Sequence, residues 1–184
     1  MILNFDHIAI LATDIKGVAS TLPAWLTCHE LEKHSAEGTL EQYVTSPSES
    51  DPSLLLLQPI QDGPYATALK KRGSGLHHLA CSTDSIDDAV SHFAGQGLLL
   101  HPISLKTYPK RVVWMCRPGI PFLIELFESK GVSQLTQLQT QLQLPASQVG
   151  DCDPIHFIPN TVVTAGPSKD IELQIGDKSF NIVF

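Results

Sequence analysis

Apolar and polar positions along this chain follow one plan twice. The runs Asn4-Phe5-Asp6-His7-Ile8-Ala9-Ile10 and Gly75-Leu76-His77-His78-Leu79-Ala80-Cys81 are both strand-like, and each carries a histidine at the same place. A Thr-Asp pair follows each run, Thr13-Asp14 and Thr83-Asp84, and reads as a helix N-cap. His7 and His78 stand 71 residues apart, and a second pair of runs, Ser53–Leu57 and Phe122–Leu126, is offset by 70 from Leu55 to Glu125. Two copies of a unit of about seventy residues therefore fill the first two thirds of the chain, each predicted to be β-α-β-β-β.

In the first copy, strand alternation places Asp6, Ile8 and Ile10 on one face and His7, Ala9 and Leu11 on the other. Val18, Leu22, Trp25 and Leu26 then give a helical stripe from Ile15 to about Trp25, which Pro23 shortens or kinks. Strands are predicted over Cys28–Lys33, Gly38–Val44 and Ser53–Pro59, and Tyr65–Lys71 is a short helix linking the two copies. The second copy reads as a strand from Gly75, a helix over Ser85–Phe93, and strands over Leu98–His101, Arg111–Cys116 and Pro121–Phe127. Beyond Glu128 the pattern changes. Val132, Leu135, Leu138 and Leu142 predict a helix ended by Pro145, and Ile155–Ile158, Thr161–Thr164, Ile171–Ile175 and Ser179–Phe184 predict strands, the last two joined through Gly176-Asp177. The expected class is α+β, with residues 1–128 as the repeated unit and 129–184 as an extension. That extension should pack on the core or on a second subunit, because Phe180, Ile182 and Phe184 would otherwise be exposed.

Composition narrows the picture. With 184 residues, 42% of them apolar, the chain can bury a sizeable core. Its net charge of −7 and a longest basic run of Lys70-Lys71-Arg72 argue against a nucleic-acid surface and for small-molecule partners. No window approaches about 18 uninterrupted apolar residues and the N-terminus has no basic leader, so no membrane contact and a cytoplasmic location are expected. Cys28, Cys81, Cys116 and Cys152 are scattered without a Cys-x-x-Cys pair, and reduced thiols are the expectation.

The chemistry centres on His7, His78 and Glu125. Two imidazoles and one carboxylate suit a divalent metal if they converge. A lone histidine on an apolar face is usually a satisfied core residue; here the repeat itself pairs two of them. Glu125 is the one charge in Phe122-Leu123-Ile124-Glu125-Leu126-Phe127, and a carboxylate buried there needs a cation or a hydrogen-bonding partner. His77 is predicted to point to the opposite face from His78. Trp25 and Trp114 read as core residues, although Trp114 falls on a strand of the second copy.

These motifs, together with Leu57-Gln58-Pro59 before Tyr65–Gly73 and with Leu123-Ile124-Glu125-Leu126, resemble the glyoxalase or vicinal-oxygen-chelate superfamily over residues 4 to 128. The closest likeness is to the methylmalonyl-CoA epimerase branch. The resemblance implies paired β-α-β-β-β modules forming an open barrel around a divalent ion, with His7, His78 and Glu125 as ligands. Cobalt, zinc, manganese, nickel and iron are all candidates, an acyl-CoA is a candidate substrate, and a homodimer is a candidate assembly. The fourth ligand position of such epimerases holds Leu55 here, which leaves a three-ligand site, a remodelled site or a lost metal. The resemblance also implies Glu41 as a catalytic carboxylate, and Arg111 with Lys110 as holders of an anionic substrate group. A surface glutamate and a rim arginine in solvent are the alternatives.

Three functional classes follow. The first is an epimerase or isomerase that moves a proton alpha to a carbonyl or thioester, favoured by Glu41. The second is an Fe(II) dioxygenase or lyase of the same fold, favoured by the empty fourth position, although Met115 stands where those dioxygenases carry an acid-base tyrosine. The third is a binding module without catalysis, favoured by Leu55 and the extension.

Overall fold

The computed structural model describes residues 1–131, 133–149 and 154–184. Val132 and Cys152 lie outside the described residues. The first repeat comprises β1 (Leu3–Leu11), α1 (Ile15–Thr21), β2 (Thr27–His34), β3 (Thr39–Thr45) and β4 (Ser53–Pro59). After the linking helix α2 (Pro64–Arg72) come β5 (Gly75–Thr83), α3 (Ile86–Gly95), β6 (Leu99–Leu100), the short α4 (Ser104–Thr107), β7 (Val112–Cys116) and β8 (Leu123–Glu128). The eight strands form one sheet in the order β2-β3-β4-β1-β5-β8-β7-β6, so each repeat is read outward from a shared seam between β1 and β5.

That seam carries a pseudo-twofold. β1 and β5 run antiparallel, with Ile8 opposite Leu79 on the axis and the pairs His7↔Ala80 and Ala9↔His78 on either side. Each seam strand pairs in parallel with the last strand of its own repeat, β1 with β4 and β5 with β8. The predicted double module is therefore present. Two register shifts interrupt the seam, one skipping Asp6 between Phe5 and His7, the other skipping His77 between the partners of Ala9 and Ile10. Both are β-bulges, and each sits immediately before a repeat histidine.

The bulge at Asp6 corrects the simple alternation. Phe5, not Asp6, joins Ile8 and Ile10 in the core that packs under the helices, along with Ile15, Val18, Ile86 and Phe93. The other face of the seam holds Ala9 and Leu11 with Leu55 and Leu57 of β4, covered at one end by Tyr65, Ala68 and Leu69 of α2.

Local signals explain the helix limits. Asp14 caps α1, accepting from the Gly17 amide at 3.1 Å, and the helix ends with Leu22 as C-cap before Pro23, short of the expected Trp25. α3 is capped by Ser85, one residue past the expected Thr83-Asp84 pair. Those two residues instead tie down the N-terminus: Thr83 Oγ1 donates to the Ile2 carbonyl, and Asp84 accepts from the Ile2 amide.

The predicted tail helix is absent. Residues 133–139 are irregular, and Leu142 lies on β9 (Thr140–Pro145), where Thr140, Leu142 and Leu144 are buried in alternation with Gln141 and Gln143. Period two had been masked by the accidental three- and four-residue spacing of the leucines. With β10 (Thr161–Gly166), β11 (Ile171–Ile175) and β12 (Lys178–Ile182), β9 forms a second sheet in the order β10-β9-β11-β12. Ile155 contributes an isolated bridge to Val163 rather than a strand. Leu142, Leu173, Phe180 and Ile182 join the same hydrophobic cluster as the first sheet, and Phe180 meets Trp25 edge-on at 5.6 Å; Phe184 stays exposed. No helix among the described residues is long and apolar enough to cross a membrane.

A shared core makes a testable statement about cooperativity. Leu173→Ala empties a fully buried position on β11 and is expected to cost about 2 to 5 kcal/mol in denaturant unfolding, with one transition seen by probes in both sheets. A separate, earlier transition for the tail would show two independent units.

Candidate metal centre

His7 from β1, His78 from β5 and Glu125 from β8 converge at the seam. The Nε2 atoms of the two histidines are 3.2 Å apart, and Glu125 Oε2 lies 3.8 Å from His7 Nε2 and 3.3 Å from His78 Nε2. Repeat geometry brings them there, because Glu125 pairs with Ala80, which in turn pairs with His7. These separations match the edge of a tetrahedron with bonds of about 2.1 Å, roughly 3.4 Å. His78 is 1% exposed and His7 6%.

Each histidine is held from behind by the residue that precedes it. His7 Nδ1 is 2.8 Å from Asp6 Oδ2, and His78 Nδ1 is 2.8 Å from His77 Nδ1. An ionised Asp6 can only accept, so His7 Nδ1 carries the hydrogen and its Nε2 lone pair faces the centre. When His78 Nδ1 donates to His77, its Nε2 presents a lone pair in the same way. Strand alternation had sent Asp6 and His77 to the opposite face; the two bulges turn them in behind the ligands. The signal was present in the sequence as a polar residue directly before each repeat histidine.

Electrostatics favour a cation at this point. Burial pushes the Glu125 carboxyl up to about 7, with His7 opposing and Asp6 adding to the shift. Burial likewise holds His78 well below the usual imidazole value, reinforced by His7, and does the same to His77, reinforced by His78 and Arg72. Two imidazole nitrogens and a carboxylate oxygen facing one point, in surroundings that disfavour an uncompensated charge on Glu125 or His78, form a donor set that fits a divalent ion.

The fourth corner is apolar. Leu55 pairs with Ala9 as Glu125 pairs with Ala80, so it is the repeat counterpart of Glu125, and it is 6% exposed. Opposite these two residues stand Tyr43 and Trp114, again counterparts. Their rings lie 6.1 Å from His7 and 4.9 Å from His78, so Trp114 lines the site rather than the core. Burial, with the charges of Asp6, Glu41, Glu125 and Glu37, raises the Tyr43 hydroxyl to about 12.

Glu41 shares the face of Tyr43, two residues away on β3, and is 7% exposed rather than a surface residue. Thr39 Oγ1 donates to Glu41 Oε1 at 2.6 Å, and His34 Nε2 is 3.8 Å from Oε2. Arg111 and Lys110 are not brought to this group. Arg111 Nη2 lies 2.6 Å from Glu128 Oε2 and 3.1 Å from Asp87 Oδ2, toward the first turn of α3, and Lys110 is exposed in the turn before β7.

No profile of a known protein family matches the sequence, and no curated protein does. Solved structures do. A hypothetical protein of Bacillus halodurans is similar with a TM-score of 0.54 and 24% identity, over 72% of this chain and 98% of that one. Methylmalonyl-CoA epimerase of Mycobacterium tuberculosis gives 0.52 and 21%, over 68% and 87%. That of Streptomyces coelicolor, solved in complex with 2-nitronate-propionyl-CoA, gives 0.54 and 20%, over 73% and 99%. The fold is therefore the glyoxalase, or vicinal-oxygen-chelate, fold, and two of these three similar structures are methylmalonyl-CoA epimerases.

Glu125 links the site to stability with a defined sign. Its carboxyl titrates higher folded than unfolded, so in metal-free protein the native state favours the protonated form, and stability falls as pH rises through about 7. With chelator present, Glu125→Gln is expected to gain on the wild type between pH 5 and pH 8 by on the order of 1 to 3 kcal/mol. Adding a divalent ion at pH 8 should raise the melting temperature of the wild type alone. Equal response of both proteins would remove Glu125 from the ligand set.

Proposed function

We propose that this chain is a metal-dependent enzyme that moves a proton alpha to a carbonyl or acyl thioester, with Glu41 as the base and His7, His78 and Glu125 holding a divalent ion. The observation that carries this reading is the convergence of three donor atoms within 3.8 Å of one another at the seam. A buried carboxylate, Glu41 on β3, which β4 separates from β1, supports it. Held by His7, His78 and Glu125, a divalent ion would supply Lewis-acid polarisation of a carbonyl oxygen.

The chain's own residues supply the rest. Thr39 occupies one oxygen of Glu41, and Oε2, with His34 Nε2 3.8 Å away, is the oxygen that takes a proton from carbon on this reading. Tyr43 and Trp114 stand beside the two histidines with Leu55 at the fourth corner, and α2 packs on the apolar cluster that includes Leu55. An acyl-CoA is the substrate class suggested by the neighbours, one of which was solved with methylmalonyl-CoA. Arg111, paired with Asp87 and Glu128, is left as a structural cation on this reading.

A second reading rests on Leu55. His7, His78 and Glu125 would hold an iron ion as a two-histidine, one-carboxylate set, and Leu55 offers no fourth donor, so such an ion would supply oxygen chemistry. One experiment separates the two. Deuterium incorporation at the alpha carbon of methylmalonyl-CoA in heavy water is expected with Co(II), lost with chelator, and reduced about 100-fold or more in Glu41→Gln. No exchange with any divalent ion, but oxygen uptake with Fe(II) and a catechol, would select the dioxygenase. Neither signal would leave a binding module.

A further inference from the structure

The two bulges that turn Asp6 and His77 in behind the ligands are themselves held by one device used twice. The parallel partners of the seam strands begin level with the histidines, at His7↔Ser53 and His78↔Leu123. Phe5 and Leu76, two residues earlier and equivalent in the repeat, therefore have no partner residue from β4 or β8. In both places a glutamine side chain from the tail fills the gap. The Phe5 amide donates to Gln137 Oε1 at 2.8 Å, and Gln137 Nε2 donates back to the Phe5 carbonyl at 2.5 Å. The Leu76 amide donates to Gln148 Oε1 at 3.2 Å, and Gln148 Nε2 donates to the Ser74 carbonyl at 3.1 Å.

A side-chain amide thus copies the donor and acceptor of the next strand residue, and each bulge is bracketed. The strand partner holds the residue after it, the glutamine the residue before it. Gly75 records how closely the second clamp approaches: a Cβ there would fall 2.3 Å from Gln148 Nε2. Any other residue at 75 would drive the clamp out.

We propose that Gln137 and Gln148 are positioning residues of the metal centre, each fixing the bulge that sets the tautomer and aim of one histidine, Gln137 for His7 and Gln148 for His78. The extension then has a role at the site without touching it. Asp6 can accept from His7 Nδ1, and His77 can meet His78 Nδ1, only while their backbone stays in the bulged register. Releasing one clamp frees one bulge and lets that histidine sample the other tautomer, with Nε2 protonated and useless as a ligand.

The metal arm of this inference rests on the proposed ion site, so the test also reads the metal-free protein. Long-range proton–nitrogen NMR correlations report the tautomer of each histidine. Metal-free wild type is expected to hold His7 as Nδ1–H and His78 in one fixed tautomer, because the 3.2 Å contact between their Nε2 atoms needs a hydrogen on one of the two. The near-isosteric Gln137→Met should mix the tautomers of His7 alone, and Gln148→Met those of His78 alone. Gln148→Glu, which keeps the acceptor for Leu76, should restore His78 in part. In Co(II) titrations each Met variant should bind about 10-fold more weakly or worse, with an altered visible spectrum. Variants that lose stability but keep both tautomers would overturn the proposal, as would either variant disturbing both histidines equally. A wild type that binds no Co(II) would sink the metal reading, while the tautomer pattern still decides the role of the clamps.

Discussion

Everything about this protein depends on the antiparallel seam between β1 and β5 and on its register. A strand has a side-chain period of two, so a slip by one residue would send both histidines into the helix-covered core and bring Ile8 and Leu79 out of it. Ile8 is fully buried and Leu79 nearly so, and losing two such side chains from the core costs several kcal/mol, at about 1.5 to 3 each. Apolar burial on one face thereby fixes the position of the polar groups on the other. The register that makes the core is the register that brings His7 Nε2 to 3.2 Å from His78 Nε2.

Symmetry explains where the site is, and its breaking explains what the site can do. The pseudo-twofold generates two histidines, two aromatic walls and two positions for a fourth-strand ligand. The chain then fills one of those positions with Glu125 and the other with Leu55. A half-polar site of this kind disfavours charge on its own groups, burial pushing the Glu125 carboxyl up and the His78 imidazole down. Groups that disfavour their own charge by burial gain most from a cation that compensates them.

The extension is integral to this arrangement. Its second sheet shares the hydrophobic cluster of the first, and its irregular segment runs beside β1, where Asn4 donates to the Ser133 carbonyl and accepts from the Leu135 amide. Buried backbone at the open flanks of β1 and β5 needs partners, and glutamines from the extension supply them. Gln134 and Gln137 of the irregular segment turn toward the sheet and hydrogen-bond to the backbone of Leu3 and Phe5.

The sequence by itself determined the double β-α-β-β-β plan and singled out His7, His78 and Glu125 as candidate donors, because a seventy-residue repeat and period-two burial are written directly in residue order. Helix α1 ends at Thr21, before Pro23 and short of the Trp25 that its apolar stripe suggested. What residue order could not carry was anything that breaks a period. Bulges at Asp6 and His77 invert the face of a residue without changing the pattern around it, so the residues behind the ligands were assigned to the wrong side. The leucine spacing at 135, 138 and 142 is compatible with a helix in isolation, and only pairing with β10 and β11 makes β9 a strand. Arg111, a candidate substrate holder in the sequence, is committed to Asp87 and Glu128, residues distant in the chain and adjacent only after α3 packs on the sheet. Local periodicity fixes which face is buried. Strand pairing, bulges and ion pairs are settled between segments, and those exist only once the chain has closed on itself.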